Sequence, residues 1–175
     1  MIILVEGRHD KHFLQNYLKH LRINNVEIQH TDGKDNLENY KKNIIKNDSI
    51  KIIFDADDDL ELAKENIKNQ LGEEFFNKCE IFLIPNNKDK GNLETLIENI
   101  AKEECVLKCF DHYTECLKTL QEKNQNIKLP AKKSKVYAYN HSFGYNNGNK
   151  NYKIDNTYFD LDNEYLTPLK EFLLK

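Results

Sequence analysis

The sequence predicts an α/β fold: a four-stranded, mostly parallel, Rossmann-like sheet flanked by helices, with a helical C-terminal extension. Short apolar runs alternate with longer amphipathic stretches over the first hundred residues, which is typical of strands alternating with helices. Helical crossovers between parallel strands are right-handed and keep helices on the sheet faces. The 175 residues, 39% hydrophobic and 31% charged, suffice for one sizeable core.

Four short runs predict the strands of the sheet. The first run is apolar throughout, as expected for a strand that is covered on both faces. Pro85 ends the last run, because proline has no N–H group to donate within a sheet. The predicted strands are Ile2–Val5, Val26–Gln29, Lys51–Phe54 and Ile81–Ile84.

The stretches between these runs predict helices, because their apolar residues recur every three or four positions. A turn is predicted at Thr31–Lys34, where Asp-Gly is a strong local break. The predicted helices are His9–Leu21, Asp35–Ile45 and Leu60–Leu71.

After the fourth strand the pattern turns helical. Pro130 predicts the start of one helix, and Pro168 suits the first turn of a terminal one. Gly144–Asn151, rich in Gly and Asn, predicts an exposed loop. We expect residues 1–103 to form an α/β unit and residues 104–175 to form a helical extension packed on it, within one compact domain.

The overall charge argues against a protein that coats nucleic acid non-specifically. Lys and Arg number 26 against 29 Asp and Glu, so the net charge is −3 and no basic field covers the molecule. A local basic groove remains compatible with this balance. The apolar run Ile2–Val5 is too short for a signal peptide or a membrane span, which predicts a cytoplasmic protein without a membrane partner.

The four cysteines fit a cytoplasmic protein as reduced thiols. Cys105, Cys109 and Cys116 fall at spacings of four and seven in a helical stretch, which we interpret as a face turned toward the core. A zinc site would instead favour tighter Cys-x₂-Cys pairs with histidine partners. The sequence alone therefore favours packing of these cysteines over a structural zinc site.

Acidic side chains follow three of the predicted strands, at the edge of a parallel sheet where functional groups gather. Like charges at such density raise one another's pKa unless a cation neutralises them. A hard divalent ion such as Mg²⁺ (or Mn²⁺) does so with carboxylate ligands. The acidic residues of these loops are Glu6, Asp10, Asp55, Asp57, Asp58, Asp59, Asp89 and Glu94.

An ordinary explanation exists for some of these residues. A single Asp-x-Asp pair is common, and Asp58 and Asp59 suit the first turn of the helix that follows them. The informative feature is the combination of Glu6 after the first strand with Asp55 and Asp57 after the third.

Two segments resemble motifs of the TOPRIM family. Ile-Leu-Val-Glu-Gly-Arg-His-Asp is similar to the opening strand and Glu-Gly motif, and Ile-Ile-Phe-Asp-Ala-Asp-Asp-Asp to the Asp-x-Asp motif. Gly-Asn-Leu-Glu at residues 91–94 is similar to a stretch in small stand-alone TOPRIM-like bacterial proteins of unassigned function. The resemblance covers residues 1–100 and extends to the overcoming-lysogenization-defect nucleases. The glycine that often follows the family's Asp-x-Asp is missing here.

The resemblance implies a role for each matching residue. Asp55 and Asp57 would hold Mg²⁺ (or Mn²⁺), and Glu6 would be a general acid/base or a ligand of a second ion. Asp10 and Glu94 would be auxiliary ligands. The implied activity is that of a Mg²⁺-dependent nuclease or related phosphoryl-transfer protein acting on DNA or RNA.

Basic residues in the same loops are candidates for contacts with nucleic-acid phosphates. Arg8, one of only two arginines, lies within the first motif and is also a catalytic candidate. Lys34 follows the second predicted strand, and Lys88 and Lys90 follow the fourth.

Two other functions are compatible with the same residues. One is a non-catalytic TOPRIM-like module that binds nucleic acid, nucleotide or a protein partner such as an ATPase. The other is a receiver-like protein phosphorylated on Asp55. A receiver would carry an acidic pair after its first strand and a lysine after a fifth, whereas Glu-Gly follows the first strand here and no fifth strand is evident.

Overall fold

The sheet is fully parallel and has the order β2-β1-β3-β4. A computed structural model describes residues 1–42, 50–145 and 154–175 of the chain. The predicted α/β class with four strands is confirmed. The first and last residues of each predicted strand differ from those of the observed strand by at most two positions. The strands are β1 (Ile2–Val5), β2 (Glu27–His30), β3 (Ile50–Asp55) and β4 (Cys79–Ile84).

Helices flank the sheet and form the extension, as predicted. The stretch expected to be a helix over Asp35–Ile45 instead begins as a 3₁₀ turn, Leu37–Tyr40, and its last residues lie outside the described ranges. Most of the predicted loop Gly144–Asn151 also lies outside them. The α-helices that lie wholly within the described ranges are α1 (Arg8–His20), α2 (Leu60–Leu71), α3 (Glu73–Phe76), α4 (Leu93–Asn99), α5 (Glu104–Lys123), α6 (Lys133–Ser142) and α7 (Thr167–Leu174).

Each face of the sheet is covered by a separate apolar cluster. Ile52 and Phe54 pack with Ile67 of α2 on one face, whereas Ile3 and Ile53 lie on the other. Side chains alternate between the two faces along a strand, so a strand covered on both sides is apolar at every position. This arrangement explains why β1 could be predicted from a run of only four residues.

The extension packs on the same face as α1 and α4. Leu107, Val136, Tyr139 and Phe172 belong to the apolar cluster that contains Ile3 of β1. The Tyr139 hydroxyl donates a hydrogen bond to the Tyr158 carbonyl at 2.8 Å. The boundary at residues 103 and 104 stays a prediction. No helix within the described ranges is both long and apolar enough to traverse a bilayer.

The prediction that the helical cysteines face the core is wrong. Cys105, Cys109 and Cys116 are exposed on α5. Their spacing places them on one side of a helix, but α5 packs through Leu107 and the partly buried Val106 on a different side. Spacing alone identifies a common face without indicating which face is buried.

A buried ammonium group fastens the terminal helix to the sheet. Lys51 of β3 is only 1% exposed, and its Nζ donates to the Phe172 carbonyl of α7 at 2.8 Å. The same nitrogen lies 3.3 Å from a Glu80 carboxylate oxygen and 4.4 Å from the centre of the Phe172 ring. A cation beside the last carbonyls of a helix is favourably placed with respect to the helix dipole.

Lys51→Ala is expected to lower the free energy of unfolding by about 3 kcal/mol, measured by urea denaturation. The substitution leaves a buried carbonyl without a donor and removes a cation–π contact and the packed aliphatic stem. Lys64→Ala is the matched control, because Lys64 forms only an exposed pair with Glu61 and should change stability by less than about 0.5 kcal/mol. Equal effects of the two substitutions would contradict the proposed fastening.

Candidate functional site

Glu6 and Asp55 meet where two neighbouring strands end. β1 and β3 pair in parallel with Val5 opposite Ile53, so the residues that follow them share one edge of the sheet. The Glu6 carboxylate accepts a hydrogen bond from the Asp55 backbone N–H at 2.9 Å. The predicted convergence of these two residues is therefore observed.

The Asp55 side chain also fixes the start of α4. Its Oδ1 accepts a hydrogen bond from the Leu93 N–H at 3.0 Å, in the first turn of that helix. Asn92 caps the same helix by accepting from the Thr95 N–H at 3.1 Å. A carboxylate at a helix N-terminus is stabilised by the unpaired amides and the helix dipole. Asp55 thereby brings Glu94, the next residue of α4, close to Asp55 itself and to Asp10.

Asp57 lies in a loop whose backbone is pinned to the loop after β4. Its carbonyl accepts a hydrogen bond from the Gly91 N–H at 2.7 Å, and its own φ is 52°. Gly91 has a φ of 145°, and a Cβ there would lie 2.9 Å from the Thr95 hydroxyl oxygen. Only glycine fits that position without displacing α4.

The loop after β2 supplies a cation to this edge. Lys34 Nζ lies 2.8 Å from Asp57 Oδ2, and the pair is about half exposed. The loop is held in place because the Gly33 N–H donates to the Glu6 carbonyl at 2.9 Å. The Thr31 hydroxyl donates to the Gly33 carbonyl at 2.8 Å. Lys34 thus neutralises part of the acidic charge at this edge of the sheet.

Asp10 lies in the first turn of α1 and does not line the cleft that Glu6, Asp55 and Asp57 share. It is buried, and its Oδ2 accepts a hydrogen bond from the Gly7 N–H at 2.9 Å. Burial raises the pKa of Asp10 to about 6, the backbone hydrogen bonds oppose the rise, and the charge of Glu94 adds to it. Asp10 and Glu94 are therefore close enough to repel each other.

The carboxylates of this edge interact strongly. Burial raises the pKa of Glu6 to about 7, against the effect of the Asp55 N–H, and the charges of Asp10 and Asp57 raise it further. Burial also raises the pKa of Asp55 well above its usual range, reinforced by the surrounding carboxylates. We call this set the acidic cluster. Its members are Glu6, Asp10, Asp55, Asp57 and Glu94.

An open cleft of about 380 Å³ gives access to the front of the acidic cluster. Glu6, Asp55, Asp57 and Lys34 line it, together with Asp58 and Asp59 on the side of α2. Asp59 caps α2 by accepting from the Glu61 N–H at 2.8 Å. This role is the ordinary one that the sequence suggested for it.

Comparison with family models assigns the whole chain. The model described as "Protein of unknown function (DUF3226)" matches residues 1–175. The chain belongs to the DUF3226 family. The curated proteins and the solved structures gave no match. The description of DUF3226 carries no activity, so a functional proposal for this chain depends on the site itself.

The other basic candidates of this DUF3226 chain lie outside the cleft. Arg8 is exposed at the first position of α1, and Lys88 and Lys90 are exposed in the loop after β4. Both lysines line a neighbouring groove of about 530 Å³ on the outer side of Asp58 and Asp59. Of the four basic residues singled out in the sequence, Lys34 is the one in direct contact with the acidic cluster.

The C-terminal extension contacts α1 beside Glu94 of the acidic cluster, and the sequence did not predict this contact. Tyr137 of α6 has its hydroxyl 3.5 Å from His9 Nε2, and the two rings meet edge-on with centroids 6.1 Å apart. Burial lowers the pKa of His9 and raises that of Tyr137, and the charge of Glu94 raises both. Lys133, one turn earlier on α6, acts on His9 in the opposite sense.

The same helix is tied to its neighbours by one lysine. Lys135 Nζ lies 3.0 Å from Glu98 Oε2 of α4 and 2.8 Å from Asp111 Oδ1 of α5. Its side chain is largely buried. The partners in the contacts His9–Tyr137 and Glu98–Lys135 are far apart in the chain. No local sequence pattern therefore predicts these contacts.

The donor chemistry of the acidic cluster, carboxylate oxygens in close proximity, fits a hard divalent cation. Among the residues that the structure describes, no three His, Cys, Asp or Glu side chains already surround one point as metal ligands. Asp57 is engaged by Lys34, and Asp55 by a backbone amide. An ion bound here would displace Lys34 from Asp57 and relieve the repulsion that raises the pKa values of Glu6 and Asp55.

The stability of the metal-free protein is expected to fall as the pH rises from about 5 to 8. A carboxyl group whose pKa is raised on folding holds its proton longer in the native state, so the unfolded state gains on deprotonation. For Glu6, a rise from 4.5 to about 7 corresponds to a loss on the order of 3 kcal/mol. Urea denaturation in EDTA at several pH values measures it, and Glu6→Gln should flatten the dependence. A slope unchanged by that substitution would contradict the shifted titration of Glu6.

Proposed function

We propose that this chain is a TOPRIM-like, Mg²⁺- or Mn²⁺-dependent nuclease or phosphoryl-transfer protein that acts on DNA or RNA. The observation that supports the proposal is the convergence of Glu6, Asp55 and Asp57 at one accessible sheet edge. Carboxylates from two separate strand ends are held there at the cost of raised pKa values. Crowded carboxylates repel one another, and Lys34 neutralises only part of their charge. Such an arrangement is typical of a site that binds a further cation.

The members of the acidic cluster have distinct roles in this proposal. Asp55 and Asp57 would hold the ion, with Asp10 and Glu94 tuning the charge behind them. A bound divalent ion supplies charge stabilisation and water activation in phosphodiester hydrolysis. Glu6, with a pKa of about 7, can accept and return a proton at its carboxylate near neutral pH.

The substrate would be held by cations around the cleft. Lys34, once released from Asp57, would contact a phosphate next to the reacting one. Lys88 and Lys90 extend this basic contact along the outer groove, and Arg8 does so at the exposed start of α1. Because the net charge is −3, binding would depend on these local contacts and weaken with added salt.

Incubation of the purified protein with labelled single- and double-stranded DNA and RNA, in Mg²⁺ or Mn²⁺, tests the proposal. Cleavage should require the metal, and Glu6→Gln should reduce the rate at least about 100-fold. Asp58→Asn is the matched control, because Asp58 is exposed at the rim of the same cleft. Full activity of Glu6→Gln, or cleavage that EDTA does not inhibit, would exclude this mechanism.

A non-catalytic binding module is the second candidate. It is favoured by the ion pair of Lys34 with Asp57, which leaves the cluster partly neutralised without metal. In that case the chain would bind a metal, nucleic acid, a nucleotide or a protein partner such as an ATPase without turnover. Calorimetric binding of Mn²⁺ together with no cleavage of any of the four substrates would favour this candidate over the first.

A further inference from the structure

The outer side of α5 carries three thiols and one imidazole in a line. Cys105, Cys109, His112 and Cys116 are all exposed. At about 100° per residue they fall within an arc of about 60° on the helix. The buried Leu107 lies on a different side, toward the rest of the protein. We call these four residues the thiol stripe.

Packing does not explain the thiol stripe. Cysteine is among the residue types most often buried, yet three of the four cysteines of this chain face solvent from a single helix. The stripe consists of two pairs at a spacing of four, Cys105 with Cys109 and His112 with Cys116. Side chains at this spacing lie next to each other on successive turns, close enough to share one ion. Thiolate sulfur and imidazole nitrogen are the preferred ligands of Zn²⁺.

One chain alone cannot complete such a site. Zn²⁺ in structural sites takes four ligands, whereas each pair supplies two. Within the described ranges no group of three suitable side chains is already assembled. Two further apolar side chains flank the thiol stripe, Tyr113 at 54% exposure and Leu120 at 45%. A second helix lying along the stripe would cover both and bring the missing ligands.

We propose that the thiol stripe binds one Zn²⁺ per chain and that a second copy of this chain completes each site. In an antiparallel pair related by a two-fold axis, residue 105 faces 116 and residue 109 faces 112, because both sums equal 221. Each of the two ions then has three cysteines and one histidine. A parallel pair also gives two ions, one with four cysteines and one with two cysteines and two histidines. Every bound thiol releases its proton to solvent, and no oxidant takes part.

This site is independent of the acidic cluster. Its ligands are soft sulfur and nitrogen atoms, whereas the acidic cluster offers hard oxygen atoms that suit Mg²⁺. The two lie on different elements, α5 and the ends of β1 and β3. Variants of either site should therefore leave the other intact.

Titration of the full-length protein with Co²⁺ and Zn²⁺, under a non-thiol reductant, tests the proposal. Co²⁺ should give the sulfur-to-metal charge-transfer band of tetrahedral thiolate coordination, saturating at one ion per chain, and Zn²⁺ should displace it. Sedimentation equilibrium should show a monomer in EDTA and a dimer with Zn²⁺. A thiolate band from a protein that stays monomeric, or no band at one equivalent, would overturn the shared site.

The double substitution Cys109→Ser with Cys116→Ser removes one ligand of each pair from an exposed face and should abolish both the band and the dimer. His141→Gln changes an exposed histidine of α6, and Asp55→Asn changes the acidic cluster, so both variants should keep the band and the dimer. A dimer that persists in the double variant would refute the proposal. So would a dimer that reductant dissolves but EDTA does not, since that dimer is held by a disulfide.

Discussion

Asp55→Asn should stabilise the metal-free protein at pH 8 and eliminate its stabilisation by Mn²⁺. The Asp55 carboxylate is buried among four other carboxylates that raise its pKa, so removing its charge relieves repulsion. Asparagine retains an oxygen that can accept from the Leu93 N–H, which preserves the anchor of α4. We expect the free energy of unfolding in EDTA to rise by about 2 kcal/mol, within the range that burying an incompletely compensated polar or charged group costs.

The same substitution should remove the effect of the metal. For the native sequence, Mn²⁺ at 100 times its dissociation constant should add about 2.7 kcal/mol to the free energy of unfolding. Asp55→Asn should show no added stability at that concentration, and Asp58→Asn should respond as the native chain does. The measurement is urea denaturation with EDTA and with Mn²⁺. If Asp55→Asn destabilised the metal-free protein and still responded to Mn²⁺, Asp55 would be a structural cap and not a ligand.

Gly91→Ala is expected to disrupt the site from outside it. The added Cβ would lie within 3.0 Å of three atoms of Thr95, and the φ of 145° is one that residues with a side chain rarely adopt. Relief requires moving either α4 or the Asp57 loop that is hydrogen-bonded to Gly91. We expect a loss of about 3 kcal/mol in the free energy of unfolding, from backbone strain and overpacking together, and loss of Mn²⁺ binding by calorimetry.

Gly144→Ala separates the two causes of that loss. Gly144 also has a positive φ, 77°, but no atom of the described residues lies within 4 Å of the place a Cβ would occupy. It should cost only about 1 kcal/mol of backbone strain and leave Mn²⁺ binding unchanged. Equal losses in the two variants would mean that φ alone, and not the contact with Thr95, constrains Gly91.

The parts of the fold that could be predicted are those encoded locally. β1 is apolar on both faces, so its boundaries followed from composition alone, and the prediction based on the apolar run Ile52–Phe54 located β3 to within one residue at each end. The convergence of Glu6 with Asp55 followed from a general property of parallel sheets, in which strand ends of one polarity share an edge.

Errors arose where a pattern leaves the direction of packing open. The spacing of Cys105 and Cys109 identified a shared helical face but not its exposure. The sequence did not distinguish Lys51 from an ordinary strand residue, because the carbonyl that it contacts belongs to Phe172, 121 residues away in the chain. Tyr137 could not be linked to His9 for the same reason. Lys34 forms an ion pair with Asp57 in this structure, and its contact with a nucleic-acid phosphate stays a prediction.

The Lys135 ammonium has a consequence for how the protein can be divided. It connects α4, whose first turn is held by Asp55, with both of the longer helices that follow it. Cutting the chain after residue 103 would remove the Lys135 ammonium from Glu98 and take away the part of the apolar cluster over Ile3 and Ile53 that the extension supplies. We therefore expect that the first hundred residues, which contain the motifs, do not fold stably by themselves. Transfer of these motifs to another protein would have to include the later helices.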